Sequence, residues 1–191
     1  ANASANVTVA ATATTPSSTS VIAGDGGRIN ITAPQVATQS GALLQANGNN
    51  GPGGNFNLQA TQLAIAGSVQ ANGNTGGVIT TTATSSNIQT GALIQANGNN
   101  GPGGAIALQT TNDQLINNAT IQANGTGNGG NIKIATTTGG INLQSALIQT
   151  NGANGRGGSI ETQANSGSIH TSSAIESIGA TQGGNVTLTA N

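Results

Sequence analysis

Apolar and polar residues alternate along this chain in short segments, and most of these segments follow a Gly-Gly pair. Pairs that begin at positions 26, 53, 76, 103, 129, 157 and 183 return every 23 to 28 residues. The segments after them include RINI at 28–31, NFNL at 55–58 and NIKI at 131–134. Alternation with a period of two over four to six residues predicts a strand with one buried face.

A second segment recurs in step with the first and reads apolar-Gln-small-Asn-Gly. Its apolar heads are Leu44, Val69, Ile94, Ile121 and Ile148, with a degenerate last copy at Ile175. A third, looser segment lies between the two, as at 63–65, 87–89, 114–116, 141–143 and 168–170. Each repeat of about 26 residues is therefore predicted to hold three short strands and no helix.

Three short strands cannot bury their apolar side chains alone, so successive repeats must stack. We predict an all-β fold, a parallel β-helix (solenoid), in which residues 1–191 form one domain of about seven to eight coils. Its interior would be a column of Ile, Leu and Val padded with Ala, with Phe56 as a larger plug. A left-handed β-helix and a disordered low-complexity segment are the alternatives. Against them stand the missing six-residue period and the aliphatic residue at every head position.

The turns and the aligned amides complete this architecture. Asn-Gly and Gly-Gly steps are expected to supply the positive φ angles that sharp corners need. Asparagines aligned across the repeats predict a structural ladder in which each side-chain amide bonds its neighbours above and below; its members are Asn47, Asn72, Asn97, Asn124 and Asn151. An outward glutamine series is expected beside it, at Gln45, Gln70, Gln95, Gln122 and Gln149.

One outward position just before each strand head carries leucine on every second coil, at Leu43, Leu93 and Leu147. The coils between carry small residues at this position. A spaced leucine row on an uncharged face is a candidate surface for lateral association with a neighbouring rod. The alternatives are that the inward and outward assignment has slipped there, or that a loop covers the row.

Composition removes several classes of function. The formal net charge is −1, with three basic and four acidic residues, so nucleic acid and anionic membranes are not expected as partners. The sequence has no cysteine and one histidine, which excludes zinc sites and disulfides. No apolar run approaches the roughly 18–20 residues of a membrane span, so membrane insertion is not expected. We expect no metal site and no cofactor.

Catalytic residues are not predicted either. Hydrolysis of polysaccharides needs clustered carboxylates or a carboxylate with a basic partner on one face. Glu161 aligns with Lys133 one coil earlier, which predicts an exposed ion pair, and His170 aligns with Asn142. We therefore expect that the protein is not an enzyme.

Two further binding functions are disfavoured. Calcium-binding β-rolls place an aspartate at every turn, whereas Asp25 is the one aspartate in a Gly-Gly corner. Ice binding requires threonines at one position on successive coils, but Gln59 separates Thr32 from Thr82, and Gln109 and Ala135 follow. Ice binding is thus a less favoured possibility.

The phrase Gly-Asn-Gly-Gly-Asn-Ile-x-Ile at 127–134, with Ala-x-Ile-Gln-Ala-Asn-Gly before it, resembles the repeat region of filamentous-haemagglutinin-like exoproteins. These proteins are secreted by the two-partner pathway in cyanobacteria and other Gram-negative bacteria. The likeness covers roughly residues 6–190. It implies a right-handed β-helix, export through the outer membrane, and a surface role such as adhesion or matrix formation.

We therefore expect a structural, non-catalytic module of a secreted surface fibre, adhesin or extracellular matrix, located outside the cell or at its surface. Neither end shows a capping helix or a charged edge strand, so we expect a segment of a longer fibre, or of one stacked end to end. The expected partners are other copies, end to end and laterally, and a glycan or a host or cell surface. The alternative is a carbohydrate-binding adhesin or a β-helical polysaccharide-active protein, in which Asn and Gln rows hold sugar hydroxyls.

Overall fold

The computed structural model describes residues 6–10, 13–15, 19–23 and 26–191, with side chains described from residue 26 onward. These residues form strands and turns, and no helix is found among them. The strands are β1 (Asn6–Ala10), β2 (Ala13–Thr15), β3 (Thr19–Ala23), β4 (Arg28–Thr38), β5 (Leu43–Gly48), β6 (Asn55–Ile65), β7 (Ser68–Gln70), β8 (Val78–Ile88), β9 (Leu93–Gln95), β10 (Ala105–Thr110), β11 (Gln114–Asn117), β12 (Thr120–Gln122), β13 (Asn131–Thr136), β14 (Ile141–Gln144), β15 (Leu147–Gln149), β16 (Ser159–Ala164), β17 (Ile169–Thr171), β18 (Ala174–Glu176) and β19 (Asn185–Ala190).

Each strand pairs in parallel with its counterpart one repeat along the sequence. One sheet follows the order β1-β4-β6-β8-β10-β13-β16-β19, with β2, β11, β14 and β17 paired beside this path. The second sheet follows the order β18-β15-β12-β9-β7-β5-β3. Ile94, for example, pairs with Val69 on one side and with Ile121 on the other. The protein is a parallel β-solenoid, which confirms the predicted fold class.

The coils number slightly fewer than the seven to eight predicted. About six complete turns separate the start of β4 from the start of β19, and equivalent strands begin 23 to 28 residues apart. The repeat length is therefore as the sequence predicted. The higher count included the segment before residue 26, which is described only in part, and the single strand β19.

The number of strands in a coil changes along the axis. In the first three fully described coils, the first two of the three predicted strands are joined into one strand of 11 residues, β4, β6 or β8. Each of these strands bends where the pairing skips a residue, at Pro34, Thr61 and Thr84. From β10 onward one or two extra residues occupy this bend and separate β10 from β11, β13 from β14 and β16 from β17. Three short strands per coil is therefore correct only for the later coils.

The interior is an aliphatic column, as predicted. The heads Leu44, Val69, Ile94, Ile121 and Ile148 are at most 1% exposed and lie in register. Burying one such side chain contributes about 1.5–3 kcal/mol relative to leaving it in water. This column therefore stabilises every coil through its neighbours and leaves no coil independent.

Phe56 is 1% exposed and belongs to a buried row of the larger sheet, in which its partners on the adjacent strands are Ile29 and Ile79. A second buried row, two residues further along the same strands, includes two threonines. The hydroxyl oxygens of Thr81 and Thr162 are buried without a hydrogen-bond partner, which costs stability because each lost its bonds to water.

Most glycines of the repeats do not have the role that we predicted. Among the described glycines, positive φ occurs at Gly26, Gly41 and Gly91, so the prediction that Gly-Gly steps supply positive φ holds at the pair that begins with Gly26 and is wrong for the other described Gly-Gly and Asn-Gly steps. They are glycines because no side chain fits. A Cβ on Gly104 would collide with the carbonyl oxygen of Gly77, and that oxygen accepts a hydrogen bond from Ala105 N at 2.9 Å. The same collision recurs at Gly54, Gly77, Gly130, Gly158 and Gly184.

Replacing Gly104 by alanine should therefore destabilise the fold by more than about 2 kcal/mol, because backbone must move away from backbone in two coils. Gly183→Ala is the matched control, since a Cβ there would meet only Ser177 O at 3.8 Å. Urea unfolding followed by circular dichroism measures both changes. Equal losses of stability in the two variants would contradict this account of the glycines.

Candidate functional site

The outward surface of the second sheet carries a glutamine ladder that runs along the solenoid axis. Each side-chain amide nitrogen donates to the amide oxygen one coil further on, from Gln45 to Gln70 (2.8 Å), Gln70 to Gln95 (3.3 Å), Gln95 to Gln122 (2.7 Å) and Gln122 to Gln149 (2.7 Å). The strands are in parallel register, so equivalent side chains are stacked at the strand spacing of about 4.8 Å. We call these residues, together with Glu176, the glutamine ladder.

The ladder ends on a carboxylate, and this fixes its direction. Gln149 Nε2 donates to Glu176 Oε2 at 2.7 Å. A carboxylate only accepts, so Gln149 must present its NH₂ group to Glu176 and its oxygen to Gln122. The same reasoning passes back along the row. One acidic residue thus orients every amide dipole of the ladder in one direction.

The predicted asparagines also lie in one column, but they bond differently from the prediction. Each Oδ1 accepts from the backbone N–H of its counterpart one coil on, at 2.7–2.8 Å, rather than from a side-chain amide; the donors are Asn72, Asn97, Asn124, Asn151 and Ile178. The strands of the middle coils end before the asparagine, as Ser68–Gln70 ends before Asn72. The backbone N–H of the asparagine therefore needs an acceptor other than a strand carbonyl. The asparagine oxygens thus continue the backbone ladder past the strand ends.

The leucine row lies on the same outward surface. Leu43, Leu93 and Leu147 are half-buried, and the register alternates them with Ser68, Thr120 and Ala174. None of the three belongs to the buried core cluster. The leucine row and the glutamine ladder are thus two parallel lines of side chains on one face of the second sheet.

Of the charged residues, the predicted ion pair is present. Lys133 Nζ and Glu161 Oε1 lie 3.0 Å apart, in register on β13 and β16, and both side chains are 42% exposed. At this exposure the pair contributes about 0–1 kcal/mol to stability. It is a surface contact between coils.

A shallow groove follows the bend of the larger sheet and was not predicted from the sequence. Its wider part has a volume of about 580 Å³ and is lined by three successive coils, including Asp113, Asn142 and His170. Asp113 and Leu115 also line a second part of about 360 Å³ that continues toward β4. The signal that could have revealed it is the growing number of residues in the bend, since bend residues such as Asp113, Gly139 and Gly167 line its wider part.

The polar groups of this groove differ in how they are held. Asp113 Oδ1 accepts from Gly140 N at 2.9 Å. His170 pairs in register with Asn142, as expected, and its Nε2 lies 3.0 Å from Ser168 Oγ. Both His170 and Ser168 are exposed. The groove therefore offers hydroxyl, amide, imidazole and carboxylate groups to a ligand along its length.

Other predicted positions can be placed as follows. Asp25 lies outside the described residues. The register puts Thr32, Gln59, Thr82, Gln109 and Ala135 in one outward row, so threonines do not follow each other on successive coils. Within the described part of the protein no group of three His, Cys, Asp or Glu could hold a metal ion. The described residues form no helix, and so none that could span a membrane.

No protein-family model, no curated protein and no solved structure matches this sequence.

Removing one step of the glutamine ladder should cost stability. Gln122→Ala deletes two side-chain hydrogen bonds and should lower the free energy of unfolding by about 1–2 kcal/mol. Gln109→Ala is the matched control, since Gln109 is exposed on β10, and should change it by less than about 0.5 kcal/mol. Urea titration of both variants decides the matter. If the two variants lose the same stability, the ladder does not bind the coils together.

Proposed function

We propose that this protein is a structural, non-catalytic module of a secreted surface fibre, adhesin or extracellular matrix. The observation that carries the proposal is the glutamine ladder, in which five side-chain bonds join six coils in one direction. Together with the aliphatic column and the parallel backbone ladder, it binds each coil to the next along the whole axis. Such a body resists stretching and bending.

A place outside the cell fits the same features. A trypsin-like protease cuts after Lys or Arg, and the sequence has only three. Lys133 is held by Glu161 on a paired strand, where the backbone cannot reach a protease site without local unfolding. The likeness of the repeats to filamentous-haemagglutinin-like exoproteins supports this location further.

Two apolar surfaces support association with other copies. Val186 and Leu188 of β19 and the nearby Ile178 are 44%, 42% and 61% exposed, and a further coil stacked on β19 would cover them. That coil can come from a longer polypeptide or from a second molecule. The leucine row supplies the lateral surface, because leucines of one rod can lie against the Ser, Thr and Ala positions of a neighbour.

A second candidate, glycan binding, is favoured by the groove alone. Asn142, His170 and Asp113 offer hydrogen-bonding groups on three successive coils, as a linear array of sugars would require. The sequence has one aromatic residue, Phe56, and it is buried, so the groove has no stacking platform for a sugar ring. A glycan-array screen of the intact protein, with and without His170→Ala, separates this function from the structural one.

Electron microscopy and sedimentation at rising protein concentration test the structural proposal. We expect rods that associate end to end and side by side. The triple variant Leu43→Ser, Leu93→Ser and Leu147→Ser should lose lateral bundling and keep end-to-end contacts, with a stability loss below about 1 kcal/mol per site. Val78→Ser, at an apolar residue 41% exposed on the other sheet, is the control and should bundle normally.

Isolated rods at all concentrations would contradict association between copies of this protein, end to end and side by side. Bundling that survives in the triple variant would remove the leucine row from it.

A further inference from the structure

The sequence holds nine Asn-Gly steps, and these are chemically unstable in flexible polypeptides. The backbone nitrogen of the glycine attacks Cγ of the asparagine, a new C–N bond forms, and ammonia leaves as the C–N bond of the carboxamide breaks. Water then opens the cyclic imide to aspartate or isoaspartate. The reaction needs no enzyme and no redox partner. It does need a glycine nitrogen that is free to approach the carboxamide.

In the solenoid, most glycine nitrogens of the Asn-Gly steps donate a backbone hydrogen bond. In the five steps of the asparagine column, the glycine N–H donates to a carbonyl oxygen one coil on, at 2.7–3.1 Å; the glycines are Gly48, Gly73, Gly98, Gly125 and Gly152. The asparagine Oδ1 of each step is also engaged by a backbone N–H. Attack would require both bonds to break, which amounts to opening the stack locally.

A sixth step is held in the same way although it lies in a corner loop. Gly129 N donates to Arg156 O at 2.8 Å, and Asn128 Oδ1 accepts from Arg156 N at 2.9 Å. Asn128 itself is exposed. Exposure therefore does not distinguish the steps, whereas the bonding of the glycine nitrogen does.

Three steps differ: Asn50-Gly51, Asn100-Gly101 and Asn154-Gly155. Within the described residues, the nitrogens of Gly51, Gly101 and Gly155 donate to no protein acceptor. All three asparagines are exposed. Backbone bonds across the coils place Asn100 and Asn154 at one corner, two coils apart, on either side of Thr126.

We infer that the fold directs spontaneous deamidation to Asn50, Asn100 and Asn154 and protects the other six Asn-Gly steps. Each event adds one negative charge to a protein whose formal net charge is −1. The new carboxylates form at one corner of the rod, at every second coil for Asn100 and Asn154. Ageing thereby adds negative charge to an edge whose charged residue, among the described corner residues, is Arg156. Repulsion between such edges of neighbouring rods rests on the association proposed above.

Peptide mapping by mass spectrometry tests this after incubation of the intact protein at mildly alkaline pH in ¹⁸O-labelled water. In the folded protein, Asn154 should deamidate at least about tenfold faster than Asn151 and Asn128, because only the latter two require local opening. In denaturant the three rates should become similar, which controls for neighbouring sequence. Equal rates in the folded protein, or faster loss at Asn151 or Asn128, would overturn the inference.

One variant separates bonding from position. Thr126→Asn creates a new Asn-Gly step at the same corner, but Gly127 N donates to Gly101 O at 3.1 Å, so this step should be as stable as Asn128-Gly129. Rapid deamidation at position 126 in a variant with unchanged circular dichroism would contradict the inference. Asn154→Gln should abolish the labelled product at its site, since the longer side chain forms the ring far more slowly.

Discussion

The stacking of each coil directly on the next, at the strand spacing of about 4.8 Å, is the constraint on which the rest of this structure depends. It brings carbonyl oxygens of one coil against the Cα atoms of the next at the corners, where Gly77 and Gly104 leave no space for a Cβ. It also places like side chains above one another. Corner positions are therefore occupied by glycine, interior rows by aliphatic residues, and outward rows by side chains that form ladders.

The same constraint explains a composition with 4% charged residues. A charged side chain repeated at the strand spacing would face a like charge in both neighbouring coils, and each such contact is destabilising. Glutamine avoids this because one amide both donates and accepts, so a row of any length is satisfied. Where charges stand in register they are complementary: Lys133 faces Glu161, and Glu176 accepts from Gln149.

Much of the architecture could be predicted from the sequence because the repeat acts as its own alignment. The strand heads from Leu44 to Ile148, the outward glutamines and the register of Lys133 with Glu161 all follow from counting residues between copies. Period-two alternation then assigns inside and outside. These features depend only on which residues share a position.

The features that the sequence could not predict depend on distances between backbones. Glycine is typical of positive φ and of close approach alike, and only the structure separates these causes at Gly104. The bonding of Asn97 Oδ1 to Asn124 N depends on where the strand ends, which alternation does not mark. The wider part of the groove is lined by residues of bends that hold one or two extra residues, and such insertions look like ordinary loop variation.

The registered stack is tested most directly by cysteine pairs, since the sequence has no cysteine of its own. Leu93 and Thr120 are partners on adjacent strands, so Leu93→Cys with Thr120→Cys should form an intramolecular disulfide under mild oxidation. Leu93→Cys with Gln122→Cys places the Cα atoms about 8 Å apart and should not. Cross-linking of the second pair in preference to the first, in folded protein, would contradict the stack.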